Sequence, residues 1–235
     1  PVANSNGVNV EGGSAILSGS GSITLTGTAP GAREDVFTMF GVAIGGGTGA
    51  RDAATRVQSA TGNIAITGVG PGSPTQRING NGSGLMLVNK AEVVTGGSGT
   101  IDLTGTGGFG KGGALEGLLM WTDSPGIAAR VQSQDGAIRI TGTAGNTTGD
   151  APALFVGETQ HTFNIGVDLF DGVRIQSTGA GSVTLTGTGG NAPGGANMGV
   201  SLVGDVVVQT ARGAVSVDGT AGSVAALGPN PARET

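Results

Sequence analysis

Residues whose type and spacing could do chemistry are few in this 235-residue chain. Asp168 and Asp171 are the closest strand-associated pair of carboxylates, and Arg174 follows them. Glycoside hydrolysis needs two carboxyls facing each other across a cleft at a defined separation. The sixteen acidic residues are scattered, and nothing in their spacing selects such a pair. Sugar-stacking aromatics are scarce, with one Trp, six Phe and no Tyr. No catalytic residue is assigned, and the chain is expected not to be an enzyme. His161 is the single histidine, with Glu158 three positions before it, too little for a His-based metal centre. There is no Cys, so neither a disulfide nor a thiolate site can form. The run Gly105–Lys111 imitates a phosphate loop but lacks the Gly-Lys-Ser/Thr ending. A repeated Gly-Gly-x-Gly-x-Asp calcium motif is also missing. No metal and no cofactor are therefore expected.

Two further patterns carry polar chemistry. Arg56, Arg130 and Arg174 each stand two residues before a glutamine, Gln58, Gln132 and Gln176, and Gln209 belongs to the same series. An outward arginine column is a candidate surface for an acidic sugar. The structural alternative is Gln amides bonded along a stack and arginines paired with nearby carboxylates. Threonines form two more columns: Thr26, Thr67, Thr104, Thr141 and Thr186, then Thr28, Thr106, Thr143, Thr188 and Thr220. A flat double ladder of Thr can order water as ice-binding solenoids do. The glycine between the columns is expected to turn a corner, which would put them on different faces. Val69 and Asp218 also interrupt them.

These columns exist because one phrase recurs. Gly21-Ser-Ile-Thr-Leu-Thr-Gly-Thr28 returns at Gly62, Gly99, Gly136, Gly181 and Gly213, with starts 41, 37, 37, 45 and 32 residues apart. A period of this size points to a stacked or radial repeat. Before each copy stands a second short strand, such as Val57-Gln58-Ser59 or Ile175-Gln176-Ser177. From its first apolar residue to the Ile/Val of the phrase is seven or eight positions in every unit, so the turn between them is fixed. Further upstream is a third strand, such as Gly41-Val42-Ala43-Ile44 or Gly166-Val167-Asp168-Leu169. The gap after it lengthens in units two and four, which places loops at one corner. All three strands alternate apolar and other residues, the period of a half-buried strand. Segments between Thr28-type ends and the next unit are long enough for a further short strand or a packed excursion. No helical spacing is sustained, and Gly breaks every candidate window.

Composition agrees. Gly contributes 50 residues without a collagen period, while 37% of residues are hydrophobic and only 11% charged. That is too apolar and too weakly charged for disorder. Short strands joined by tight turns fit better, with Gly expected at corners of positive φ. The net charge of −5 and eleven dispersed Lys and Arg leave no nucleic-acid footprint. No apolar run is long enough for a transmembrane segment. Pro1–Gly7 lacks the basic and apolar parts of a leader, so the chain reads as a mature or excerpted piece.

The Val-Gln-Ser strand, a short turn, and Gly-x-Ile-x-(Leu/Ile)-Thr-Gly-Thr-Gly-Gly resemble repeats of secreted bacterial β-solenoids, the filamentous-haemagglutinin-like and autotransporter-like adhesins. Ala129–Gly142 and Arg174–Gly190 show it most clearly. The resemblance spans Gly7 to about Leu227. It implies an extracellular or cell-surface bacterial protein acting as stalk, filament or adhesin. Family repeats are often nearer twenty residues; these units are longer, which leaves the coil's cross-section open.

The expected fold is all-β: a right-handed parallel β-solenoid of about six coils with loop insertions. A six-bladed propeller is the alternative. Residues 1–6 form an N-terminal extension, 7–227 one solenoid domain, and 228–235 a Pro-rich tail or linker. The expected function is structural or adhesive, with head-to-tail self-association through Pro1, Val2, Pro229, Pro231 and Arg233. Both termini are expected to be held by contacts. Other candidate partners are surface glycans, met by the corner loops of units two and four or by Arg56, Arg130 and Arg174, and matrix proteins. A polysaccharide-degrading enzyme and an ice-binding solenoid are the remaining alternatives.

Overall fold

A computed structural model describes residues 3–31, 36–45, 53–78, 80–123, 127–147, 155–156, 159–160, 163–192 and 196–223. It is a parallel β-solenoid of six coils, and no helix occurs among the described residues. Each coil contributes one strand to each of three six-stranded parallel sheets. The first sheet stacks Val8–Glu11, Val42–Gly45, Leu85–Val88, Leu118–Trp121, Val167–Phe170 and Val200–Val203. The second stacks Ala15–Ser18, Thr55–Ser59, Ala91–Thr95, Arg130–Ser133, Arg174–Ser177 and Val207–Thr210. The third holds the recurring phrase: Ile23–Thr28, Ile64–Val69, Ile101–Thr106, Ile138–Thr143, Val183–Thr188 and Val215–Thr220. Parallel pairing between successive coils excludes a propeller, whose blades pair consecutive antiparallel strands.

Alternation decides which side chains fill the coil. Ile64, Ile101, Ile138 and Val183 stack one above another and are fully buried, as are Ile66, Leu103, Ile140 and Leu185. Val57, Val93, Val131 and Ile175 meet them from the second sheet, and Leu85, Leu87, Leu118 and Met120 from the first. One coil cannot cover these residues by itself; its neighbours above and below do so. The interior is aliphatic because β-branched side chains suit a pleated ladder.

The turn between second and third sheets is closed by the hydroxyl of the Val-Gln-Ser strand. Ser59 donates to the Gly19 and Gly21 carbonyls at 3.1 and 3.0 Å. Thr95 donates to Gly62, Ser133 to Gly136 and Thr210 to Gly213, at 2.6–2.7 Å. Ser59 also accepts the Gly62 amide at 2.8 Å. The bonds within one turn, at Ser59, Ser133 and Thr210, hold the constant spacing seen in the sequence, while those from Ser59 to Gly19 and Gly21 and from Thr95 to Gly62 tie each turn to the coil before it. Positive φ gathers mainly at the other corner, between first and second sheets. Gly12 and Gly13, then Asn89 and Lys90, Asp171 and Gly172, and Gly204 take it there in coils one, three, five and six. Coils two and four carry their insertions at that same corner, which is where the sequence placed them.

The glycine of Thr-Gly-Thr corrects an expectation. It turns no corner: in all six copies the strand runs unbroken through it to the next residue, Thr in five and Val69 in the second. It is needed for close approach. A Cβ on Gly27, Gly68, Gly105, Gly142 or Gly187 would collide with the carbonyl of Gly41, Gly84, Gly117, Gly166 or Gly199, each opening the next coil. The chain thus closes a three-sided circuit of about twenty residues. The rest of each long unit leaves after the second Thr and packs beside the first sheet. Three of these excursions pair as a parallel sheet of Gly72–Arg77, Phe109–Lys111 and Asn146–Thr147. Ala29, Met39, Ile78 and Leu115 form a small second core in this lateral layer. At the N-terminus, Ala3–Asn4 pairs with Val36–Thr38. Pro1, Val2, Pro229, Pro231 and Arg233 lie outside the described residues, as does the whole 228–235 segment.

Candidate functional site

The lateral layer leaves a cleft against the outer side of the first sheet. Its volume is about 500 Å³. Leu119, Trp121, Asp168, Phe170, Ser201 and Val203 supply the sheet wall, on outward positions of coils four to six. Asn81, Glu116, Phe163, Ile165 and Met198 supply the opposite wall, just before their coils begin. Trp121 and Phe170 pack with ring centroids 5.6 Å apart. Three of the chain's seven aromatics, Trp121, Phe163 and Phe170, line this cleft.

Two buried carboxyls stand in this apolar surround. Glu116 is 3% exposed and Asp168 8%. Ser83 donates its hydroxyl to Glu116 Oε2 at 2.6 Å and also bonds Asn81. Burial pushes Glu116 up to about 7 against the pull of that hydrogen bond, and the neighbouring Asp168 charge adds to the rise. Burial likewise raises Asp168 to about 6, opposed by its hydrogen bond with Ser201. Asp171 is the third acid on the wall, and no Arg, Lys or His is among the described lining residues. The Trp121 indole nitrogen is buried without a hydrogen-bond partner. Below about pH 6, therefore, the cleft can hold protons on both acids, and above about pH 7 it can offer negative charge to a cation.

Sequence reasoning reached part of this. Asp168 and Asp171 were a pair by proximity, and both line the cleft. Their expected neighbour Arg174 turns away and pairs with Asp205 at 2.5 Å. The carboxyl that approaches Asp168 is Glu116, from the preceding coil. A signal existed: Glu116 precedes the opening glycine of its coil, where other coils carry Phe40, Ser83, Ile165 and Met198. A single acid in such a column marks a special environment. Trp121 could have been noted in the same way, opposite Val88 in a strand column. His161 and Glu158 fall outside the described residues, as does much of each corner loop. Among the described residues, no three His, Cys, Asp or Glu side chains converge as metal ligands.

The second sheet carries Arg56, Arg130 and Arg174 in one register column, with Glu92 between the first two. Glu92 bridges Arg56 at 2.8 Å and Arg130 at 3.1 Å. Beside them the glutamines form a ladder: Gln209 donates to Gln176 at 3.1 Å, and Gln176 to Gln132 at 2.7 Å. An acidic ligand at this face must displace these pairs. Because Arg56 and Arg130 are substantially solvated, Glu92→Ala should cost only about 1 kcal/mol, and less at high salt. Urea unfolding at two ionic strengths measures it; a salt-independent loss of several kcal/mol would contradict this solvated-pair account.

On the third sheet both threonine columns lie on one continuous outer surface, Thr26 to Thr186 beside Thr28 to Thr220, with Val69 and Asp218 as interruptions. No corner separates them, contrary to the expectation from the sequence. What works against a flat water-ordering plane is the adjacent column, where Arg139 and Asp102 rise from the surface as an exposed pair at 3.4 Å.

The open ends are the remaining feature. Val215, Val217 and Leu202 occupy interior positions of the last coil, yet are 46%, 50% and 45% exposed. Their partners one coil earlier, Val183, Leu185 and Leu169, are fully buried. Comparison with known proteins returned no matching family model, curated protein or solved structure.

Proposed function

We propose that this chain is a structural solenoid module of a stalk or filament on or outside a bacterial cell, continued end to end by further solenoid coils. The observation that carries the reading is the uncovered interior of the last coil, with Val215 and Val217 about half exposed. Another coil laid in register would bury them, as Val183 and Leu185 are buried by this one. Among the described residues, the outer strand edges of coils one and six are also unpaired within their three sheets, and exposed edges recruit further strands. Such a contact joins unlike ends, so it propagates rather than closing into a dimer. The adhesin-like repeat phrase supports placement outside the cell. The chain's work is mechanical: it extends and presents surface, with no reaction assigned to it.

Electron microscopy and sedimentation of the protein at rising concentration test this. End-to-end rods with a repeating axial length are expected. Lys at Val217 should abolish them with little loss of stability, because the side chain is already half in water. Monodisperse wild-type monomers at high concentration would overturn the proposal. A glycan array that lit up without rods would favour adhesion through the side faces.

A further inference from the structure

We propose that the cleft between the first sheet and the lateral layer binds an organic ammonium ion with an apolar body, such as an aryl- or alkylamine. The cavity, its lining and its charge all bear on the choice. A volume near 500 Å³ falls within the size range of small-molecule sites. Its surface is largely aliphatic and aromatic, which suits an apolar body and offers a neutral sugar few hydrogen-bond partners. Glu116 and Asp168 come together at this surface, and no basic side chain among the described lining residues neutralises them. Buried carboxyls without a counter-ion are costly as anions. A ligand that brings a positive charge removes that cost.

The walls then select the kind of cation. A bare metal ion needs several converging oxygen ligands, and three convergent acids are missing among the described residues. An ammonium group needs only one or two carboxylates. Trp121 and Phe170 supply aromatic surface against which a cation or its apolar body can rest. This site is separate from the open ends, so its occupancy is independent of coil stacking.

The chain's single tryptophan lines the cleft, so its fluorescence reports on this site alone. The probes are 2-phenylethylammonium, its neutral counterpart 2-phenylethanol, and the anion 3-phenylpropionate, each titrated into the intact protein. At pH 8, the ammonium probe should give a saturable change in Trp121 emission, and the alcohol and the anion much weaker ones. The apparent affinity should fall at least about tenfold at pH 5, because Glu116 and Asp168 take up protons while the amine keeps its charge. Glu116, Asp168 and Asp171 are the titratable groups on the cleft walls. Glu116→Gln and Asp168→Asn should each weaken the ammonium probe and leave the alcohol unaffected. Equal binding of ammonium and alcohol, in wild type at pH 8, would show an apolar pocket with no charge role and overturn the proposal. No ammonium response from protein with an intact β-sheet circular-dichroism spectrum would overturn it as well. The wild-type comparisons decide the matter even where a variant fails to fold.

Discussion

Alanine at Gly142 should lower stability by on the order of 4 kcal/mol, among the largest effects expected of a single substitution. Gly142 sits inside the third sheet, paired with Gly105 on one side and Gly187 on the other. Its missing side chain faces the carbonyl of Gly166, which accepts the Leu118 amide at 2.9 Å and so holds coils four and five together. A rotamer change of the nearby Val167 side chain cannot absorb a methyl group there, because the two nearest atoms, the carbonyl carbon and oxygen of Gly166, are backbone. Either the ladder between coils opens or the circuit fails to close. Gly19→Ala is the control. Nothing lies within 4 Å of a Cβ there and φ is not positive, so the change should be neutral or slightly stabilising. Chemical denaturation of both variants checks the pair. Equal, small effects would show that Gly142 tolerates a side chain and that Thr-Gly-Thr needs glycine for another reason.

The second large effect is on pH. A carboxyl whose folded pKa is raised holds its proton more tightly in the folded protein than in the unfolded chain. Glu116 goes from 4.5 to about 7, so its penalty is absent below about 4.5 and complete above about 7. Across that window stability should fall as pH rises, by about 3 kcal/mol from this group at about 1.4 kcal/mol per unit. Asp168, raised from 3.8 to about 6, adds in the same direction over a slightly lower window. Glu116→Gln keeps an acceptor for the Ser83 hydroxyl but carries no charge at any pH. The variant should therefore match wild type near pH 5 and exceed it at pH 8, by roughly 6 °C or more in melting temperature. Parallel melting curves for the two proteins from pH 5 to 8 would refute the burial of an ionisable Glu116. Under the proposed amine site, adding 2-phenylethylammonium at pH 8 recovers part of the same deficit in wild type and stabilises Glu116→Gln less.

These predictions separate two uses of glycine and two uses of charge. The glycine at Gly142 recurs along the stack because close approach leaves no room for a side chain, whereas Gly12 and Gly13 adopt left-handed backbone at a turn. Arg56, Glu92 and Arg130 compensate one another near solvent, whereas Glu116 and Asp168 are held apart from any such partner in the cleft lining. The sequence shows residue types alike in both cases. Only the surroundings distinguish them.

The three strands of each coil, their in-register stacking and the loop-bearing corner are legible in the amino-acid sequence. That information is local and repeated: apolar side chains at alternate positions, the Val-Gln-Ser strand, and a gap of seven or eight residues locked by one hydroxyl. Six near-copies report the same physics six times, so the solenoid reading did not depend on any single residue. The three-sided circuit, the lateral layer and the cleft were not legible. They depend on where the chain leaves the stack after Thr-Gly-Thr and on what it meets on returning. Glu116 reaches Asp168 because coils four and five lie one above the other and the lateral layer folds back on the first sheet. Neither residue repeats, so no periodic signal marks the pair. Repetition determined the scaffold; the unrepeated residues came together only through tertiary packing, which sets burial, and burial is what raises the pKa of an ordinary carboxyl.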